Sequence, residues 1–224
     1  MREASAERQK RTPCVLSAAD HAGWAHILCV AAPGNVPAVV ERRRLVLIDP
    51  GLPTMPYHHE SLALRVDEAD ALVMRVRRSI AECASRALRK VVADLAHTHA
   101  VVALAIREPP FPELPASVAT VRQSYQLQCA ADGMMYQLAL CGAARDLGLE
   151  VHLCRRGEER ARAAARLGVP PRDLASFVDV GGRPAGPPWT AEHRAAFAAG
   201  IAALAHGGRL GPHLRPVRLN GRAR

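Results

Sequence analysis

The chain has 224 residues, 49% of them apolar, and a formal charge of +9. That length suits one large domain, or one domain with extensions, and the apolar share supplies a sizeable core. No window approaches 18 uninterrupted apolar residues, which excludes an ordinary membrane-spanning helix, and 4% aromatics is too few for a stacking platform along single-stranded nucleic acid.

Met1–Thr12 carries +2 and Arg209–Arg224 carries +5, so the rest of the chain is nearly balanced. The excess reads as solvated basic ends that would favour a polyanion such as nucleic acid. Residues 1–22 read as a flexible basic arm, 23–206 as a single α/β domain and 207–224 as a basic disordered tail. The charged N-terminus lacks the apolar h-region of a secretory leader. The six cysteines form no C-x-x-C pair. Together these imply a cytoplasmic protein with reduced thiols.

Trp24 to Ala32 is the first strand-like segment, stopped at Pro33-Gly34-Asn35. Val36 to Ile48 follows as one bent strand or two short ones, ending at Asp49-Pro50-Gly51. Tyr57 to Val66 reads as a third strand, so the first three form an antiparallel meander. From Asp67, apolar residues recur every three or four positions (Leu72, Val76, Ile80, Ala84, Ala87, Val91, Leu95), which predicts a long amphipathic helix. Asp67, Glu68 and Asp70 occupy its start, as the helix dipole favours.

The run Ala100–Ile106 is apolar throughout and stops at Arg107-Glu108-Pro109-Pro110. It predicts a strand buried on both faces, ended by two residues that cannot donate to a ladder. It therefore delivers Arg107 and Glu108 to the carboxyl edge of a sheet, where open α/β sheets keep their sites. Glu113 to Leu147 is helical in pattern, with a break near Asp132-Gly133 and a cap at Gly148. Glu150–Cys154 is a short strand, Glu158–Leu167 a helix, 180–188 a loop, and Ala191–Ala205 a last helix capped by Thr190. The sum is a mixed sheet: an antiparallel three-strand meander plus parallel strands, with helices on both faces.

The element order, the segment Ala103-Leu104-Ala105-Ile106-Arg107-Glu108 and the late helix Ala191-Glu192-His193-Arg194-Ala195-Ala196-Phe197 resemble the ribonuclease H-like superfamily, in particular RuvC-type resolvases. The resemblance implies carboxylates from the first strand, the fourth strand and the last helix holding two Mg or Mn ions for phosphodiester cleavage. Hard cations of this kind take oxygen ligands. Carried onto this chain, the catalytic set is Glu108, Glu192, Asp49 and His193, and the metal ligands are Glu108, Glu192, Asp49 and Glu60. Arg107, Arg155 and Arg156 are the candidate contacts to nucleic acid. The chain departs from the family where Ala31-Ala32 precedes Pro33-Gly34, because alanine cannot ligate a metal.

Two alternatives stand beside the nuclease reading. One is a binding or assembly module of the same fold that has lost its metal site. The other is a small-molecule metal hydrolase built on Asp49, His58, His59 and Glu60, since imidazole suits transition metals. Gln128 and Asp132, four apart in an otherwise apolar helix, mark either a cleft wall or a solvated face.

Overall fold

The computed structural model describes residues 11–208. Five strands form one mixed sheet: β1 (Thr12–His21), β2 (Trp24–Ala31), β3 (Ala38–Val46), β4 (His99–Arg107) and β5 (Glu150–Cys154). They lie in the order β3-β2-β1-β4-β5. β1 pairs antiparallel with β2, and β2 with β3; β4 is parallel to both β1 and β5. Among the described residues there are six α-helices: α1 (Val66–Leu95), α2 (Val118–Val121), α3 (Tyr125–Asp146), α4 (Glu159–Leu167), α5 (Pro171–Gly181) and α6 (Ala191–His206).

Side-chain alternation divides the core. Cys14, Leu16 and Ala18 of β1 pack with α1 and α3. Ala19, Leu28 and Val30 pack with α4, α5 and α6, and Val15 and Ala105 lie under α6 as well. The expected fold class is therefore present, with its meander shifted one strand toward the N-terminus. Thr12–His21, read above as part of a flexible arm, is the central strand β1. Residues 1–10 and 209–224, the rest of the expected arm and most of the tail, lie outside the described residues.

The reason for the shift is local. Ala22-Gly23 makes a two-residue turn between β1 and β2, with Gly23 at φ +88°, which glycine adopts without strain. The segment from Tyr57, read above as the third strand, is instead a turn and a 3-10 helix, Glu60–Ala63. Its N–H groups are already spoken for. Those of Tyr57 and His58 donate to the Asp132 carboxylate, each at 3.0 Å. That tertiary use of Asp132 also explains why α3 runs unbroken through Asp132-Gly133, the expected break; the interruption falls at 122–124 instead. The pair Pro170-Pro171 stops α4 and also starts α5, with proline at the first helical position.

Several local readings match the structure. α1 buries Val76, Ile80, Ala84, Val91 and Leu95. α3 ends in a Schellman arrangement at Gly148, with the Leu149 N–H donating to Ala144 O at 3.0 Å. Thr190 caps α6 by accepting from the His193 N–H.

α6 lies very close to the sheet at Gly200. A methyl group there would come 2.6 Å from Val30 Cγ2 and 3.1 Å from Ser17 Oγ, and both residues are fully buried. Gly200→Ala gains about 1 kcal/mol of helix propensity, but overpacking costs roughly 1–3 kcal/mol. The expected result is a net loss in thermal denaturation; a variant as stable as the parent would contradict this close approach.

Candidate functional site

The carboxyl edge of the parallel strands is where the sheet order reverses, between β1 and β4, and open α/β sheets form ligand crevices at such points. A crevice of about 300 Å³ lies there. Its walls are Asp20 at the end of β1, Arg107 at the end of β4, Arg156 after β5, Glu159 of α4 and Glu192 of α6. Ala195, Ala196 and Ala199 line its α6 side, and small side chains there leave the space open.

Asp20 is the most constrained of these groups. Its side chain is 6% exposed. One carboxylate oxygen accepts from the Arg107 guanidinium at 3.1 Å and from Gln137 Nε2 at 3.0 Å. Parallel pairing of β1 with β4 brings these two strand ends together, and Gln137 reaches them from α3. The buried carboxylate is thus neutralised by a cation belonging to the chain.

Glu192, in the first turn of α6, lies 3.1 Å from His21 Nε2. The His21 ring stacks on Trp24 at 3.8 Å, and Arg44 lies over the Trp24 ring at 4.5 Å. Glu159 accepts from the Gly157 N–H at 2.9 Å.

The residues named from the sequence fall in four places. Glu108 turns outward and accepts from Arg155 at 3.2 Å, beside Pro109, Pro110 and Arg156; an exposed pair of this kind contributes about 0–1 kcal/mol. Asp49 accepts from Ser79 Oγ at 2.7 Å, Cys83 Sγ at 3.5 Å and Arg86 at 3.3 Å. Those partners lie on α1, and they hold the Asp49 carboxyl below its ordinary range, the Ser79 hydrogen bond most of all. Glu60 opens the 3-10 helix next to the turn that Asp132 holds.

His193 is buried behind the crevice wall. Its Nδ1 accepts from the Thr190 N–H at 3.2 Å, and its ring lies 4.4 Å from that of His26. Burial first, then the neighbouring His26, pushes its pKa down to about 4, so it is neutral at neutral pH. His58 and His59 stack on each other at 4.2 Å, and Cys129 Sγ is 3.9 Å from His58 Nδ1.

The implied two-metal set therefore does not fit. Glu108 and Glu192 both lie at the carboxyl edge, where Arg156 borders the pocket of each, but Asp49 is held by α1 and Glu60 opens the 3-10 helix, and the four do not come together as one ligand group. Nor do Asp49, His58, His59 and Glu60 assemble. Among the described residues, the group of three or more His, Cys, Asp or Glu side chains close enough to share an ion is Glu150, His152 and His206. The Ala31-Ala32 departure loses its meaning, because those residues end β2. The first-strand acid is Asp20, followed by the Ala22-Gly23 turn. The sequence signal is there: a run, Cys14–Ala19, apolar but for Ser17, ending in an acid just before a glycine turn.

No protein-family model matches the chain, and no curated protein matches it significantly in sequence. Among solved structures it is similar to RuvC of Thermus thermophilus, at 12% identity and a TM-score of 0.49, over 87% of this chain and 95% of that one. The overlay is loose, and the fold class rests on the strand order and directions. No helix among the described residues is long and apolar enough to cross a membrane.

Proposed function

We propose that the chain is a ribonuclease H-like nucleic-acid-binding module that does not cleave by a two-metal mechanism. The observation that carries this reading is the Arg107–Asp20 pair. A guanidinium sits on one oxygen of the buried carboxylate of the central strand, so a divalent cation bound at the other oxygen would meet that positive charge. Glu108 is drawn away to Arg155, so the carboxylates left on the crevice beside Asp20, those of Glu159 and Glu192, would have to offset that repulsion.

Arg107 and Arg156 on the crevice, with Arg155 in the adjoining pocket beside Arg156 and Glu108, supply donors for phosphate oxygens. The crevice lining itself is mixed in sign, since Asp20, Glu159 and Glu192 face the same space. Most of the affinity is therefore assigned to the positive excess in the terminal segments, through counterion release.

A second reading, metal-dependent nuclease, draws on one observation: three carboxylates from β1, α4 and α6 line one crevice. Fluorescence anisotropy with labelled duplex and branched DNA, followed by electrophoresis of the same samples with Mg²⁺ or Mn²⁺, separates the two. The expected result is binding that weakens steeply from 50 to 200 mM salt, with intact DNA. Cleavage that is lost in Asp20→Asn would establish the nuclease instead; absence of binding would remove both.

A further inference from the structure

At the far end of β5 from the crevice, three metal-type side chains converge. Glu150 and His152 are two apart on an edge strand and share a face. His206 comes from the last turn of α6. Glu150 Oε1 and His152 Nε2 are 3.3 Å apart, and the His152 and His206 rings are 5.3 Å apart at 85°. One donor atom from each residue lies within 4.8 Å of the other two. They border a cavity of about 380 Å³ that Ala199 and Ala203 leave open.

We propose that Glu150, His152 and His206 form a binding site for a tetrahedral transition-metal ion of the zinc class. Two imidazoles and one carboxylate are a known zinc donor set, with the fourth position left to water. The imidazoles argue against Mg²⁺ or Ca²⁺, which take oxygen ligands. The negative end of the α6 dipole at His206 favours a cation there. Glu150 and His206 are exposed and can rotate toward an ion, while the half-buried His152 is held on the strand between them.

The same geometry contains a competitor. The Arg166 guanidinium lies against Nδ1 of His206, and Arg162 borders the same cavity. If the metal binds at Nδ1, Arg166 must leave. If it binds at Nε2, a guanidinium donating to Nδ1 enforces the wrong tautomer. In both cases Arg166 opposes the metal, so removing it should tighten binding. A bland structural cluster predicts no such effect.

The test uses tag-free, reduced full-length protein, with zinc measured by competition against a chromophoric chelator and cobalt by its visible spectrum. The wild type should bind one ion with a tetrahedral cobalt spectrum. His206→Ala and the conservative Glu150→Gln should weaken binding, roughly 100-fold for the histidine, and Arg166→Gln should strengthen it. Circular dichroism checks that each variant is folded. No stoichiometric binding by the wild type would overturn the site. So would binding that is unchanged in both His206→Ala and Glu150→Gln, which would place the ion on other groups.

Discussion

Arg107→Met should destabilise the protein by about 3 kcal/mol, the lower end of the cost of stripping one partner from a buried ion pair. For a domain of this size that is a fall of roughly 6–12 °C in Tm. The lower end applies because the Arg107 side chain is 37% exposed while that of Asp20 is only 6% exposed. The loss arises from Asp20, left in a buried setting with Gln137 as its remaining partner, and much less from the arginine itself. A second substitution, Asp20→Asn, removes the stranded charge and keeps an acceptor for Gln137. The double variant should therefore be more stable than Arg107→Met alone. If the two costs simply add, the pair is not coupled, and the neutralisation on which the non-cleaving reading depends is absent.

The second large effect is a pH dependence at Asp132. This carboxyl is 2% exposed, and its pKa is pushed up to about 7 by burial, against the pull of the Tyr57 and His58 N–H groups. The folded state therefore binds the proton more tightly than the unfolded state. Stability from this group is full below about pH 4 and is lost as pH rises toward 7, at about 1.4 kcal/mol per pH unit. Over the whole window the loss reaches about 4 kcal/mol as an upper bound.

His193 acts with the opposite sign. Its pKa is lowered to about 4, so its contribution is lost as pH falls from about 6.5 toward 4. The readable quantity is thus the difference between wild type and Asp132→Asn in urea denaturation from pH 5 to pH 8. At pH 5 the protonated acid and the asparagine are both neutral with one carbonyl acceptor, so the two proteins should be close in stability. The asparagine should become the more stable form at pH 8, where the buried carboxyl ionises. Parallel stability curves for the two proteins would refute the raised pKa.

What could be read from the sequence followed the range of the interaction. β4, β5, the stripe of α1, the Gly148 cap and the Thr190 cap are set within a few residues, and each was legible. β1 is obscured because its short apolar run follows a segment, Met1–Thr12, in which nine of twelve residues are polar or charged, so composition masks periodicity. Without β1 the meander takes the Tyr57 segment as its third strand, and the expected first-strand acid falls at Ala31 instead of Asp20. The site was harder still. That Arg107 would face Asp20 and Glu108 would turn to Arg155 depends on strand order and on which face each strand end presents. Glu150, His152 and His206 come from two elements separated by two helices. No spacing rule joins them.

The non-cleaving reading places the Arg107–Asp20 pair where a metal centre would otherwise sit, at the carboxyl edge of the sheet. The measurement that tests it is cleavage of labelled duplex and branched DNA by the wild type and by Asp20→Asn, with Mg²⁺ or Mn²⁺ supplied and binding confirmed in the same samples. The expected result is bound, uncut DNA with the wild type at every metal concentration. Metal-dependent cutting by the wild type, abolished by Asp20→Asn, would contradict it.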